Sequence, residues 1–360
     1  MCDFVKTSIF CTNSHITLDS GGGVVCYNII QALKSATNLK TVLCSSAIPL
    51  GVETECISPT AYQQPDSPFL YDYFASTKVQ TKVDIAQFYG APFAQTSQKL
   101  KPAKIIVDVA PHNIEVSREE HSRLGFSFPY PHLNDPELWK LYMLHVKNAD
   151  VVVVHSKKSA EYLKQKLDLT NEVIVIPHGC NMQEPNPFPE KFDVAYLGRF
   201  GADKGLIYLI KAWSQLNLPE STLILAGANS EAMGDVLKLA NARGKYHLID
   251  YVESPQQIYS KCSVYIQPSV TEGFGIPCLE AMAEGRPVIV TEGAGASELV
   301  TNGHDGFVVP IRSPEAIAEH IMYFYGNREQ LRLMGQKARK TAEQYTWDKI
   351  RKKYQELYVV

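Results

Sequence analysis

The 360-residue sequence predicts an α/β protein made of two doubly wound domains facing across a cleft. Three observations lead there. Short β-rich runs alternate with helical stretches along most of the chain. The rhythm stops once, at a proline-rich stretch, and then restarts. Finally, 360 residues with 45% hydrophobic content exceed what one compact core usually holds.

In the first half, VKTSIFCT, TVLCSSA, VDIAQFYG, KIIVDVA, DVVVVHS and EVIVIP are strand candidates. The last three are apolar without strict alternation, as a parallel strand covered on both faces by helices requires. Residues 24–34 and 136–147 have helical spacing. The interruption is PNPFPEK, residues 185–191, whose three prolines disfavour helix or central strand and read as a linker. This predicts domains at 1–185 and 186–345. In the second, DVAYLG, TLILAG, SVYIQPS and PVIVTEG are strands, and helical segments fall near 206–216, 230–243 and 277–284. The tail carries Trp347, Ile350, Tyr354 and Leu357 at intervals of three and four, one apolar stripe on a charged helix over 346–360 that packs back on the first domain. Open α/β sheets bind ligands beyond their strands' C-terminal ends, so the shared cleft is the expected site.

Composition narrows the function. Lys+Arg against Asp+Glu is 16 to 18 up to residue 185 and 19 to 20 beyond it, so neither half is basic enough to suggest nucleic acid. The eight cysteines lack the paired short spacing of zinc ligands and read as reduced, buried thiols. MCDFVKTSIF has no basic-then-apolar leader, and no stretch approaches the ~20 apolar residues of a membrane span, which predicts a cytoplasmic protein. A modest amphipathic patch would still serve peripheral contact with a membrane.

The chemistry concentrates in TEGFGIPCLEAMAEG, residues 271–285. Pro277 suits the first turn of a helix and Gly285 its end, so Gly273 and Gly275 lie in the loop leading in. The first N–H groups of a helix have no intrahelical partner, and glycine lets a ligand approach the backbone. Phe274, Gly275 and Ile276 can therefore cradle phosphate or sugar oxygens. Glu272 precedes this cradle and Glu280 lies one turn inside the helix, where carboxylates can accept hydrogen bonds from vicinal hydroxyls. Either glutamate alone reads as a cap or a solvated residue; it is their order with the glycines and Pro277 that carries weight. In DVAYLGRFGADKGL, Arg199 follows a strand end and Lys204 opens the next helix, so a guanidinium fork and a point charge can converge on one diphosphate. Gly21, Gly22 and Gly23 form a glycine run before an amphipathic helix.

The 271–285 segment resembles the EGFGxPxxEAMAxGxPVI signature of the retaining GT-B glycosyltransferases often called family four, or glycosyl transferases group 1. That resemblance is firmest over 192–310 and implies two Rossmann-like domains, the second binding a nucleotide sugar and the first an acceptor. It puts Glu272 by the donor sugar, Glu280 on the nucleotide ribose, and Arg199 and Lys204 on the diphosphate. By the same resemblance, Gly22 and Gly23 approach the diphosphate from the other domain, Tyr251 and Val252 flank the base, and His112, in VDVAPHNIE, lies near the reacting sugar. His178, where the family often has asparagine, reads as structural. The catalytic set is thus His112, Arg199, Lys204 and Glu272.

The resulting expectation is hexosyl transfer from a nucleoside-diphosphate sugar to a glycan, lipid-linked or small-molecule acceptor. No cofactor is called for, and no metal, because no Asp-x-Asp pair stands at a strand end and Arg199, Lys204 and the loop amides can stabilise the departing phosphate. Retention follows from the resemblance, by front-face attack with the leaving phosphate taking the acceptor's proton. The rival readings are a sugar-nucleotide epimerase of the same architecture, which lacks this glutamate signature, and a binding protein without catalysis, against which the four intact residues argue. A cofactor-dependent phosphorylase would be longer, and a dinucleotide-dependent dehydrogenase would carry Gly-x-Gly-x-x-Gly in place of SGGGVV.

Overall fold

A computed structural model describes residues 6–12, 15–16, 21–44, 46–47, 50–56, 72, 75–79, 82–90, 93–111, 113–128, 136–227, 230–250, 252 and 254–359. The chain forms two compact units. Unit 1 comprises Met1–Pro111, Pro129–Pro177 and Asp348–Val360; unit 2 comprises His112–Phe128 and His178–Trp347. Among the described residues no helix is long and apolar enough to cross a membrane.

Unit 1 is built on a seven-stranded parallel sheet. Its strands are β1 (Thr7–Thr12), β3 (Asn38–Cys44), β5 (Glu53–Cys56), β6 (Ile85–Tyr89), β7 (Lys104–Asp108), β8 (Val151–Val154) and β9 (Glu172–Val175), in the order β5-β3-β1-β6-β7-β8-β9. Two-residue strands β2 (His15–Ile16) and β4 (Ser46–Ala47) pair separately. All four valines of β8 are buried, the pattern of a strand with helices on both faces. Cys11, Cys26, Cys44, Cys180, Cys262 and Cys278 are buried, reduced thiols.

The Trp347–Glu356 helix presents Ile350 and Tyr354 inward. Its Tyr354 hydroxyl donates to Asp108 Oδ1 at 2.6 Å, while Gln87 Nε2 donates to Asp108 Oδ2 at 2.6 Å and Tyr358 donates to Gln87 Oε1 at 2.5 Å. Asp108 is wholly buried, and burial pushes its carboxyl up to about 7 against those two donors, which lower it. An acid whose folded pKa lies above its unfolded value favours the folded state when protonated, so this residue's contribution falls as pH rises from about 4 through 7. Tyr354→Phe removes one donor from the carboxyl. It is expected to cost about 1–3 kcal/mol, more at pH 8, where Asp108 is charged, than at pH 5. Urea unfolding at the two pH values reads the difference.

Unit 2 is built on a six-stranded parallel sheet of β10 (Val194–Leu197), β11 (Leu223–Ala226), β12 (Tyr246–Ile249), β13 (Val264–Gln267), β14 (Val288–Thr291) and β15 (Gly306–Val309), ordered β12-β11-β10-β13-β14-β15. One face of the sheet packs on the Leu206–Ser214 and Pro314–Gly326 helices through Leu209, Trp213, Ile317 and Ile321. The other face packs on the Ile276–Ala283 helix, and the Arg328–Ala342 helix serves both cores, Leu331 and Met334 the first and Ala338 and Ala342 the second.

Two parts of unit 2 differ from the expected division at residue 185. The chain passes from unit 1 to unit 2 at Pro177–His178, and the PNPFPEK stretch belongs wholly to unit 2 rather than linking two bodies. Buried Arg286 explains why. Its Nη2 donates to the Asn186 carbonyl at 3.0 Å and the Pro187 carbonyl at 3.1 Å, and its guanidinium lies 4.5 Å from the Phe188 ring centre. Prolines offer no N–H groups, but their carbonyls remain acceptors.

The second difference is the Ile114–Leu124 helix, which comes from the first half of the sequence and packs in unit 2. Asn113 caps it by accepting from the Val116 N–H at 3.0 Å, and Gly125, at φ +76°, ends it. Its buried face is polar. Glu120, fully buried, accepts from Tyr208 Oη at 2.5 Å, Arg312 Nε at 2.7 Å and Arg123 Nη2 at 2.7 Å.

Candidate functional site

The site residues of unit 2 gather at the C-terminal ends of β10 and β13, because successive parallel strands deliver their following loops to one edge of the sheet. After β10 come Gly198 and Arg199, then a short 3-10 turn, Ala202–Lys204. After β13 come Pro268 and Ser269, then the loop to Gly275. The two segments are joined by backbone: Val270 N donates to the Asp203 carbonyl at 2.8 Å and Thr271 N reaches it at 3.3 Å. Gly205 follows at φ +66°, and a Cβ there would lie 1.9 Å from the Pro268 carbonyl oxygen, so only glycine lets the segments approach this closely.

Lys204 and Glu272 meet at this junction, Nζ to Oε2 at 2.6 Å, with the lysine side chain 10% exposed and the glutamate 23%. Burial works against the ammonium, but Glu272 and Asp203 outweigh it and hold the Lys204 pKa above the ordinary lysine range, while Arg199 opposes them. Arg199 is exposed. Its carbonyl accepts from the Tyr196 hydroxyl at 2.7 Å, which fixes the backbone from which the guanidinium extends.

The glycine loop folds as the sequence requires. Gly275 sits at φ +98° and starts the Ile276–Ala283 helix, with Pro277 in its first turn. The loop is anchored on its far side: Glu272 N donates to the Gly293 carbonyl at 3.0 Å, Gly295 N to the Glu272 carbonyl at 3.1 Å, and Ala296 N to the Phe274 carbonyl at 2.7 Å. The Phe274 side chain is buried, packed edge-on against His178 with ring centres 5.1 Å apart, so Phe274 can offer a ligand only its backbone. Glu280 accepts from the Tyr259 hydroxyl at 2.8 Å, and burial pushes its carboxyl up to about 7 against that donor.

Of the residues singled out from the sequence, Arg199, Lys204, Glu272, Phe274, Gly275, Ile276 and Glu280 thus belong to one edge of unit 2. Val252 is half-buried against the core cluster to which the Ile276–Ala283 helix contributes. Gly22 and Gly23 are in unit 1, and they form the first turn of the Gly21–Ala36 helix rather than a loop ahead of it. His112 and Tyr251 lie outside the described residues. His178 packs on Phe274 and, at 6.4 Å, on Trp347. Among the described residues no group of three or more His, Cys, Asp or Glu could hold a metal ion. Sequence reading missed Thr271, whose Oγ1 accepts from Asn113 N at 2.9 Å, and also Tyr259 and Asp203. A carboxylate directly before Lys204 was the one available signal, and nothing in the sequence pointed it inward.

Residues 180–341 match the family described as Glycosyl transferases group 1. An uncharacterized glycosyltransferase of Methanocaldococcus jannaschii is 30% identical over 228 residues, 58% of this chain and 60% of that protein. The D-inositol 3-phosphate glycosyltransferase of Corynebacterium urealyticum is 25% identical over 242 residues, 59% of this chain and 57% of that one. The chain thus spans about three fifths of the length of these curated relatives. Among solved structures, sucrose-phosphate synthase from Thermosynechococcus elongatus superposes with a TM-score of 0.76 at 18% identity over 98% of both chains. An Anabaena protein in complex with UDP-glucose superposes at 0.72, with 18% identity over 98% of this chain and 99% of its own. The chain has the GT-B fold, and its residues 180–341 match the glycosyl transferases group 1 family.

Proposed function

We propose that this chain transfers a hexosyl unit from a nucleoside-diphosphate sugar to an acceptor hydroxyl, with retention of anomeric configuration and without a metal ion. The observation that carries the reading is the Lys204–Glu272 pair at 2.6 Å beside the start of the Ile276–Ala283 helix. It sets a cation for phosphate next to a carboxylate for sugar hydroxyls, with helix-start amides alongside. That a fold neighbour was solved with UDP-glucose supports the class of donor.

In the reaction the bond from the anomeric carbon to the phosphate oxygen breaks and its electron pair stays on the phosphate. Positive charge grows on the sugar and negative charge on the leaving group. Lys204, Arg199 and the amides of Gly275 and Ile276 stabilise the latter. The acceptor oxygen bonds to the anomeric carbon on the same face, and its proton passes to the departing phosphate oxygen, so no separate general base is needed. Glu280 holds the ribose hydroxyls from inside the helix.

A thermal-shift screen of nucleoside-diphosphate sugars, followed by mass spectrometry of transfer products, tests the reading. Release of epimerised sugar nucleotide with no acceptor present would replace it with an epimerase. Activity abolished by chelator and restored by magnesium or manganese would remove metal independence. Because Glu280 accepts best when ionised and titrates near 7, the donor KM is expected to rise as pH falls from 8 to 6, by at most about tenfold. Glu280→Gln should flatten that profile.

A further inference from the structure

We propose that Asp203 is a positioning residue for the donor: it is the standing counter-ion of Lys204, keeping the ammonium in place and charged when the diphosphate draws it away from Glu272. The inference rests on the reading that Lys204 binds the diphosphate.

Asp203 is wholly buried, and among the described residues no group donates a hydrogen bond to either carboxylate oxygen. Such a group is strongly disfavoured unless nearby charge compensates it. The compensating charge is Lys204 Nζ, 3.7 Å from Oδ2 and too far for a hydrogen bond; His121 Nε2 stands 4.0 Å from Oδ1. His121 Nδ1 donates to the Ser117 carbonyl at 2.8 Å, so a neutral ring turns the lone pair of Nε2 to Asp203 and leaves Lys204 as the compensating cation. The Tyr196 phenol also feels this carboxylate, and Arg199 and Glu272 act on Lys204 as well.

Two carboxylates therefore share one ammonium. A diphosphate arriving at Lys204 brings further negative charge, and one carboxylate must yield. Asp203 has no room to do so. Its carbonyl is tied to Val270 and Thr271, and Gly201 closes over it so tightly that a Cβ there would stand 2.5 Å from Oδ1. Glu272, partly exposed and on a loop, can turn. Its departure frees it for the sugar hydroxyls, while Asp203 stays and stops Lys204 from losing its proton or its place.

Affinity for inorganic pyrophosphate, measured by calorimetry from pH 7 to pH 10 in the wild type, Lys204→Ala and Asp203→Asn, tests this without knowledge of the base. Lys204→Ala should weaken binding at least tenfold at pH 7. Unchanged affinity there, or no binding to the wild type, would overturn the diphosphate reading and this inference with it. Asp203→Asn should stay within threefold of wild type at pH 7. The wild-type-to-variant ratio should then at least double toward pH 10, because loss of the carboxylate moves the alkaline limb of Lys204 to lower pH. A wild-type-to-variant ratio independent of pH would sink the inference alone, since a purely structural role weakens binding equally at every pH. If Asp203→Asn does not fold, Asp203→Ser removes the same charge with a smaller side chain and is read the same way.

Discussion

On the proposed function, Lys204→Ala is expected to slow glycosyl transfer about 10²- to 10³-fold and to destabilise unit 2 by about 3 kcal/mol, whereas Arg199→Ala should slow transfer with little loss of stability. The kinetic effect follows from removing a preorganised cation aimed at the leaving phosphate. The stability effect follows from burial. Lys204 is 10% exposed and compensates two carboxylates, one of them wholly buried, so deleting it strands Asp203. Arg199 is exposed, so water takes up much of what its removal leaves. Transfer rates at saturating donor, with urea unfolding of the same preparations, separate the two effects. Near-normal turnover in both variants would refute the diphosphate role, and a stability loss in Arg199→Ala would show that its guanidinium also braces the fold.

Glu120→Ala should cost unit 2 about 3–5 kcal/mol, the largest stability loss expected here from one side chain. The carboxylate is fully buried and receives three donors, from Tyr208, Arg312 and Arg123. Arg123 is 45% exposed and can turn to water, so its loss weighs little. Arg312, 29% exposed, and the Tyr208 hydroxyl would lose a partner with less access to solvent. The change should therefore loosen the Ile114–Leu124 helix from unit 2, read as faster amide exchange over that helix. Arg123→Ala, at the exposed end of the network, should move the unfolding midpoint little. Equal midpoints for wild type and Glu120→Ala would mean the helix is held by other contacts.

Strands were the most legible part of this chain, for a physical reason. Parallel strands buried on both faces must be almost wholly apolar, so VVVV and VAYL stand out without any knowledge of their neighbours. The Ile276–Ala283 helix was legible because glycine and proline punctuate it where backbone geometry demands. The Ile114–Leu124 helix was not: its buried face is Ser117, Glu120 and His121, which looks like a solvated surface until Tyr208, Arg312 and Asp203 are seen to face it. Site residues divided the same way. Glu272 and Lys204 could be named from motif spacing, but their 2.6 Å contact depends on Gly205 letting two loops touch. Asp203, one residue from Lys204, gave no sign that it points inward.

The chain's passage between units, at residues 111–112, 128–129, 177–178 and 347–348, has a consequence for how the protein is made. On a ribosome unit 1 has most of its sheet available early, yet Asp108 has only Gln87 as a donor until Tyr354, some 246 residues later, emerges. The Ile114–Leu124 helix likewise emerges long before Arg312, which lies 192 residues beyond Glu120. Neither unit can therefore reach its final packing during synthesis, and a fragment cut at residue 180 would separate Glu120 from Tyr208 and Arg312 and leave Asp108 without Tyr354. Expression as the whole chain, with slow late steps and a demand for protection of early buried surface, is the behaviour this connectivity imposes.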